Sequence, residues 1–381
     1  MKTRSQTVKE KTAKSISVIS YNVTNEFILS NEKDSNNYKG DEQYLDSEVR
    51  IVILTNNIIN AIDSDMDHLP IFCLQEVTLN WSNELFTIFR ELGYTYIFHP
   101  YDEAFGNSGI VIAIPDRQCR GDGHVVSSER LTKQGFDILD INIVSMLDLF
   151  SQHDYGSESD SDDEDNYFAY GFELLEKIIL DQLDDLEEER IVSLKDLISE
   201  EVNNFMISVK LEQGNKRFVI SNILNEGSDK KVTMIKTLLA TKRVQEMASV
   251  NNDNLPYIMC GDFGFKALDE IYEYVQSPIC SMKTKCNNYC RNFFKEDIDI
   301  DVKLDSRVRS SYNEYHGEEP DSVTHYQIID EKEIKNNTNF IFISPDIEVT
   351  ESETIDRSEG SCLPNSKESS VSLMLKSVVT L

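Results

Sequence analysis

The seven residues Ile71 to Val77, IFCLQEV, restrict the fold more than any other stretch of this chain. Five of them are apolar, and the run has the length and content of a buried strand. Gln75 and Glu76 do not belong in such a strand unless its end opens into a site. Groups that bind or react sit at strand ends, where a rigid scaffold positions them. Taken alone, the stretch is also compatible with a strand end capped by solvent, because isolated carboxylates are usually exposed.

The neighbouring pattern surrounds this run with alternating strands and helices. SISVISYNV, ending at Val23, alternates as a strand. From Leu45 to Ile62 the apolar residues Val49, Val52, Ile53, Ile58, Ile59 and Ile62 recur at helical spacing. After IFCLQEV, the stretch WSNELFTIFRELGY places Leu85, Ile88, Phe89 and Leu92 on one helical face and stops at Gly93. YTYIFHP and SGIVIAIP are two further strands. Past residue 200, FMISVKL and KRFVISNIL are strands joined by a Glu-Gln-Gly-Asn turn. A helix over Thr233 to Val250 follows, then the strand PYIMCGDFG, a helix from Leu268 to Val275, and an irregular polar stretch from Gln276 to Tyr326. NFIFIS and SLMLKSVVTL close the chain as strands. This order predicts an α/β fold of layered mixed sheets flanked by helices.

Two segments stand apart. Residues 1–14 read as a disordered basic tail ahead of one domain over 15–381. Residues 145–200 read as an acidic helical insertion. It contains GSESDSDDEDN, too charged to pack, and a helical pattern over Phe172 to Ile198. Ser157, Ser159 and Ser161 lie in that acidic run, as a solvated loop or as targets for an acid-directed kinase.

The formal net charge of −31 over 381 residues repels phosphate backbones, so nucleic acid is not expected as a partner. Basic residues gather in the tail and around Lys230, Lys231, Lys236, Lys242 and Arg243, on a helix expected to lie outside. Seven cysteines, an odd number without a secreted-type framework, point to reduced thiols. Cys280, Cys286 and Cys290 lack CxxC spacing, so free thiols are expected there rather than zinc. The start has no apolar signal region, and no window is long and apolar enough to span a bilayer. No membrane partner is expected, and the expected place is intracellular, in the cytoplasm or in a virion. The Asn- and Lys-rich loops suggest an AT-biased genome such as a virus's.

Four features, SYN, QEV, SNIL and GDF, occur in the order in which the endonuclease/exonuclease/phosphatase superfamily carries its motifs. The chain resembles that superfamily, and within it the deadenylase-like branch that holds the nocturnin and Angel-type proteins. YLDSEVR (Tyr44 to Arg50), VTHY (Val323 to Tyr326) and CLPNS (Cys362 to Ser366) resemble further segments of that branch. The resemblance covers most of the chain outside the tail and insertion. It implies the DNase I-like four-layer sandwich, two packed mixed sheets between helices. It also implies phosphodiester cleavage with Mg²⁺, which neutralises the phosphate and activates water and is bound by hard oxygen ligands. Carried over by position, Glu76 is the metal carboxylate, Asn22 the supporting amide and Asp262 the group that orients the nucleophile.

Other positions depart from the family's pattern. Its T-H-L becomes Asn222-Ile223-Leu224, so Ile223 stands where a phosphate-binding His is expected. Gly264 replaces the Asn of GDFN, and Asn339 the Asp of D-Y-I-F. Counted from LPN, the final S-D-H falls on Ser370-Val371-Ser372, so Val371 and Ser372 replace the metal Asp and the general-base His. Val and Ile neither donate, accept nor bind a metal, and each lost transition-state donor costs ~10²–10³ in rate. His325 is an alternative base, though its neighbours place it in a loop. The expected function is therefore that of a catalytically degenerate protein, a pseudonuclease that binds protein partners through the 145–200 insertion. On this reading Asn22, Glu76 and Asp262 are a remnant and Mg²⁺ is at most weakly held at Glu76. The alternative is an active Mg²⁺-dependent 3′-exonuclease or deadenylase-like phosphodiesterase.

Overall fold

The computed structural model describes residues 15–25, 42–102, 108–119, 125–145, 205–225, 230–249, 254–276, 279–281, 301–303, 306–320, 325–329, 332–336, 338–355, 363–365, 370 and 372–381. The expected tail, nearly all of the expected insertion, and Val371 lie outside the described residues.

The strands are β1 (Ser15–Asn22), β2 (Ile71–Val77), β3 (Tyr94–Asp102), β4 (Ser108–Pro115), β5 (Asp137–Ser145), β6 (Phe205–Gln213), β7 (Lys216–Leu224) and β8 (Tyr257–Asp262). They continue with β9 (Ile279–Ser281), β10 (Asp301–Lys303), β11 (Arg309–Ser310), β12 (His325–Ile329), β13 (Lys332–Asn336), β14 (Asn339–Ile343), β15 (Glu348–Ile355) and β16 (Met374–Thr380). The helices are α1 (Ser47–Ser64), α2 (Leu79–Glu91), α3 (Ser128–Gln134), α4 (Lys230–Ser249), α5 (Glu270–Gln276) and α6 (Ser311–His316). No helix among the described residues is long and apolar enough to cross a membrane.

Two six-stranded sheets form, in the orders β15-β16-β1-β2-β4-β3 and β11-β14-β8-β7-β6-β5. Each has one parallel pair at its centre, β1 with β2 and β7 with β8, and antiparallel neighbours outside it. Alternation along the central strands explains the layering. Ile16, Val18, Ile71 and Cys73 join Ile207, Ile220, Ile258 and Cys260 in the core between the sheets. Ile19, Tyr21, Phe72 and Leu74 point the other way, into a second core with Leu54, Ile58, Trp81, Leu85 and Phe89 of α1 and α2. IFCLQEV is apolar on both faces because both faces are covered. The predicted two-sheet α/β sandwich is therefore the observed fold.

Local signals set the ends of these elements. Asp46 caps α1, its carboxylate accepting from the amides of Glu48 and Val49. Thr78 caps α2, and Gly93 follows that helix at φ 81°. The α1 stripe is shifted from its expected phase: Ile51, Leu54, Ile58, Ala61 and Ile62 are buried, and Val52 is exposed. The stretch expected to be irregular, Gln276 to Tyr326, contains β9, β10, β11, α6 and the start of β12. In the basic helix, α4, Lys236 is fully buried and Arg243 pairs with Glu246.

Candidate active site

Both parallel pairs run toward the same end of the sandwich, and the candidate residues collect there. Asn22 is the last residue of β1, Glu76 the penultimate residue of β2, and Asp262 the last of β8. The Asn22 carboxamide joins the two sheets. Its Nδ2 donates to Glu76 Oε1 at 2.6 Å and to Asp262 Oδ2 at 3.0 Å. The other Glu76 oxygen accepts from the Asn25 amide at 2.9 Å, so two carboxylates share one amide at a strand-end rim.

Backbone distortion aims these groups. The β2–β4 register shifts between Leu74 and Val77, and Glu76 sits at φ 59°. Alternation alone would send Glu76 to the helix-covered face with Phe72 and Leu74. The bulge turns it to the rim instead. Thr24 is also left-handed, at φ 54°, and its amide donates to Asn22 Oδ1 at 2.8 Å. A non-glycine residue in this region costs roughly 1–3 kcal/mol and persists where its surroundings enforce it.

Several supporting residues were given no role from the sequence. The buried guanidinium of Arg50 donates to the carbonyls of Val23 and Thr24 and lies 4.8 Å from the Trp81 ring. Its signal was a lone Arg on the apolar side of α1, inside YLDSEVR. Gln75 and Asn222 face each other across the core: Gln75 Nε2 donates to Asn222 Oδ1 at 2.7 Å, and Asn222 Nδ2 to the carbonyls of Leu74 and Val111. The Ser370 hydroxyl donates to Asn22 O at 2.7 Å and lies 2.6 Å from Thr24 Oγ1.

Those Ser370 bonds put Ser370 beside the end of β1. Ser372 is fully buried, and its amide donates to Ser370 Oγ at 3.0 Å. Asn339 pairs with Asp262 across β14 and β8, and Ile223 pairs with Gly261 across β7 and β8. Gly264 lies two residues past Asp262, and its amide donates to Asp262 Oδ1 at 3.1 Å. The structure therefore brings Asn22, Glu76, Asp262, Ile223, Gly264, Asn339 and Ser372 to one end. Cys73 and Cys260 are buried elsewhere, in the inter-sheet core, where burial and the facing Cys73 thiol push the Cys260 thiol well up.

No family model and no curated protein matches the sequence. Solved structures do match. ANGEL2, described as a 2′,3′-cyclic phosphatase and crystallised with adenosine-2′,3′-vanadate, superposes with a TM-score of 0.63 at 16% identity, covering 97% of this chain and 96% of its own. The human nocturnin catalytic domain has a TM-score of 0.53 at 14% identity, with coverage of 96% and 93%. An endonuclease/exonuclease/phosphatase from Bacteroides vulgatus has a TM-score of 0.53 at 12% identity, with coverage of 96% and 99%. The chain has the endonuclease/exonuclease/phosphatase fold.

On that fold, the oxygen donors can be weighed against Mg²⁺. The ion needs six oxygens in a tight octahedron and is often held by one or two carboxylates with water completing the shell. Glu76 and Asp262 supply such carboxylates. Both Glu76 oxygens already accept hydrogen bonds, and no third Asp, Glu, His or Cys joins them as a ligand group among the described residues. The residues fit a largely hydrated ion on Glu76 and Asp262, and a closed protein cage is not formed.

Proposed function

We propose that this protein is a catalytically degenerate member of the endonuclease/exonuclease/phosphatase group, acting as a protein-binding component rather than as a phosphodiesterase. One observation supports this most directly. Around Glu76 and Asp262, the positions expected to carry the phosphate donors and the base are Ile223, Gly264 and Ser372, two of them fully buried. An isoleucine side chain offers no hydrogen bond, and glycine has no side chain to offer one. A serine hydroxyl does not titrate near neutral pH as a general base must. The partner contact is assigned to residues 145–200, whose apolar helical positions exceed one stripe. The cytoplasm or a virion is the compartment that composition suggests.

The second reading, a Mg²⁺-dependent phosphodiesterase, draws on the strained backbone at Glu76 and the Asn22 bridge. Mg²⁺ bound there would neutralise a phosphate and acidify a water. Asn22 would hold both carboxylates in place, and Asp262 would orient the water. Calorimetric titration with Mg²⁺ and Mn²⁺, followed by assays on poly(A), single-stranded DNA and 2′,3′-cyclic phosphate ends, separates the two. The first reading expects weak or no metal binding and no cleavage. Cleavage that Glu76→Gln abolishes would establish the second.

A further inference from the structure

β5 is the outer strand of the second sheet, with β6 on one side and no strand on the other among the described residues. Edges of this kind are normally blunted by charge or covered by another element. β15, an edge strand of the first sheet, is blunted: Glu348, Glu351 and Glu353 are exposed along it. β5 is not. Its Leu139, Ile141 and Ile143 are 44%, 44% and 40% exposed, and no other element exposes three large apolar side chains among the described residues.

The strand register explains this apolar strip. Ile141 lies opposite Val209 and Ile143 opposite Ile207, and directly paired residues share a face of the sheet. Val209 and Ile207 are fully buried in the core between the sheets. Ile141 and Ile143 therefore carry the inter-sheet face one strand beyond the part that the first sheet covers. Leu139 stands beside them, at a register shift between Ile138 and Asp140. An apolar sheet face is stable when another layer packs on it, and this strip lacks one among the described residues.

The chain itself supplies a layer. β5 ends at Ser145, β6 begins at Phe205, and these two residues pair. Residues 146–204, nearly all outside the described residues, thus leave and re-enter the sheet at the strip. Two antiparallel neighbours need a connection of only about 2–5 residues. Residues 199–204, even fully extended, keep Ile198 within about 25 Å of Phe205. In the sequence, Leu175, Ile179, Leu183 and Leu186 form one stripe of the helical pattern over Phe172 to Ile198. As a helix that stripe is about 16 Å long, and Leu139 to Ile143 extends about 13 Å as a strand.

We propose that Leu175, Ile179, Leu183 and Leu186 pack on Leu139, Ile141 and Ile143, so that this segment of the chain is the covering layer of β5. Its two ends are tethered at the strip, and short flexible tethers give an effective concentration of about millimolar, above that of a second copy in dilute solution. The contact is separate from the partner contact proposed above, which is left to the apolar residues outside this stripe. It holds whether or not that partner exists.

The test is amide hydrogen exchange of the full chain, read peptide by peptide. Phe172 to Ile198 should exchange about tenfold or more slower than an unstructured chain, equally at high and low protein concentration. Ile179→Lys with Leu183→Lys introduces good helix formers and leaves the sandwich untouched. It should remove that protection and also speed exchange in β5, with β7 and β8 unchanged. Asp181→Lys with Asp184→Lys, on the opposite side of the helical pattern, should do neither. Ile141→Ser with Ile143→Ser should remove the protection of the segment from the strand side. If that variant does not fold, the stripe variant decides alone through its effect on β5. An unprotected segment in the wild type overturns the proposal, as does a stripe variant with β5 unchanged or a control variant that loses as much. Protection that fades on dilution overturns it by making a second copy the occupant. Protection that survives in a folded Ile141→Ser, Ile143→Ser chain overturns it by placing the segment elsewhere.

Discussion

Asn22 is the residue on which the rim depends. It places one amide group between two carboxylates of different sheets, while its own oxygen is fixed by the Thr24 amide. Removing the side chain leaves Glu76 and Asp262 facing each other without that donor. A hydrogen bond to a charged group contributes about 1.5–3 kcal/mol, and Asp262 recovers part of its loss through water. Asn22→Ala is expected to lower unfolding stability by about 2–4 kcal/mol in a denaturant titration. A change below ~0.5 kcal/mol would show that the bridge contributes nothing. Gly264 argues differently. It sits at φ 67°, and a Cβ there would lie 2.4 Å from the Asn225 carbonyl oxygen. Asn tolerates left-handed backbone, yet that carbonyl is backbone and cannot swing aside. Gly264→Asn should therefore lower stability by about 1–3 kcal/mol, the usual cost of overpacking, as read by thermal melting.

At the scale of elements, strands and helices with a buried face were legible in the sequence and those without one were not. β2, β4, β7 and β14 are buried along nearly their whole length, so their apolar runs stand out. β15 is an edge strand with most residues at least partly exposed, and EVTESETI carries no apolar period. Glu76 was legible because it ends an apolar run, and Asn22 and Asp262 through the resemblance of SYN and GDF to the family's motifs. Arg50 and Asn25 were not, because their roles come from contacts distant in sequence. The bulge at Glu76 left no sequence signal either, since no glycine marks it. Asp65, just past α1, ties that helix to β16 through Lys376 and to the next loop through His68. Burial pushes the Asp65 carboxyl up, but His68 and Lys376 outweigh it and bring it down to about 2. Its unfolded value is near 3.9, so the stabilisation is complete above that value and is lost as pH falls through about 2. The stability gap between wild type and Asp65→Asn should thus be widest near neutrality and close between about pH 4 and pH 2. A gap that is constant across that range would remove the ion pair from the account.

For the whole molecule, the two sheets and the inter-sheet core are those of the endonuclease/exonuclease/phosphatase fold, while on the proposed reading the chemistry of the rim is incomplete. Hydrolysis needs a metal or donors to hold the phosphate, a base for the water, and stabilisation of developing charge. Glu76 and Asp262 address the first of these. On the proposed degenerate reading, Ile223, Gly264 and Ser372 leave the others unmet, and Gly264 resists repair because a Cβ there would lie 2.4 Å from the Asn225 carbonyl oxygen. Residues of a catalytic unit are strongly non-additive, so restoring one or two of them should not recover measurable rate. The net charge of −31 acts in the same direction by slowing the approach of any polyanionic substrate. With Mg²⁺ or Mn²⁺, the wild-type chain is expected to match buffer on poly(A), single-stranded DNA and phosphoinositides. Ile223→His with Ser372→His should do no better. The decisive comparison is wild type against Glu76→Gln in one preparation. Turnover by the first and not the second would place a working metal site at this rim and overturn the degenerate reading, whereas equal background from both would come from a contaminant.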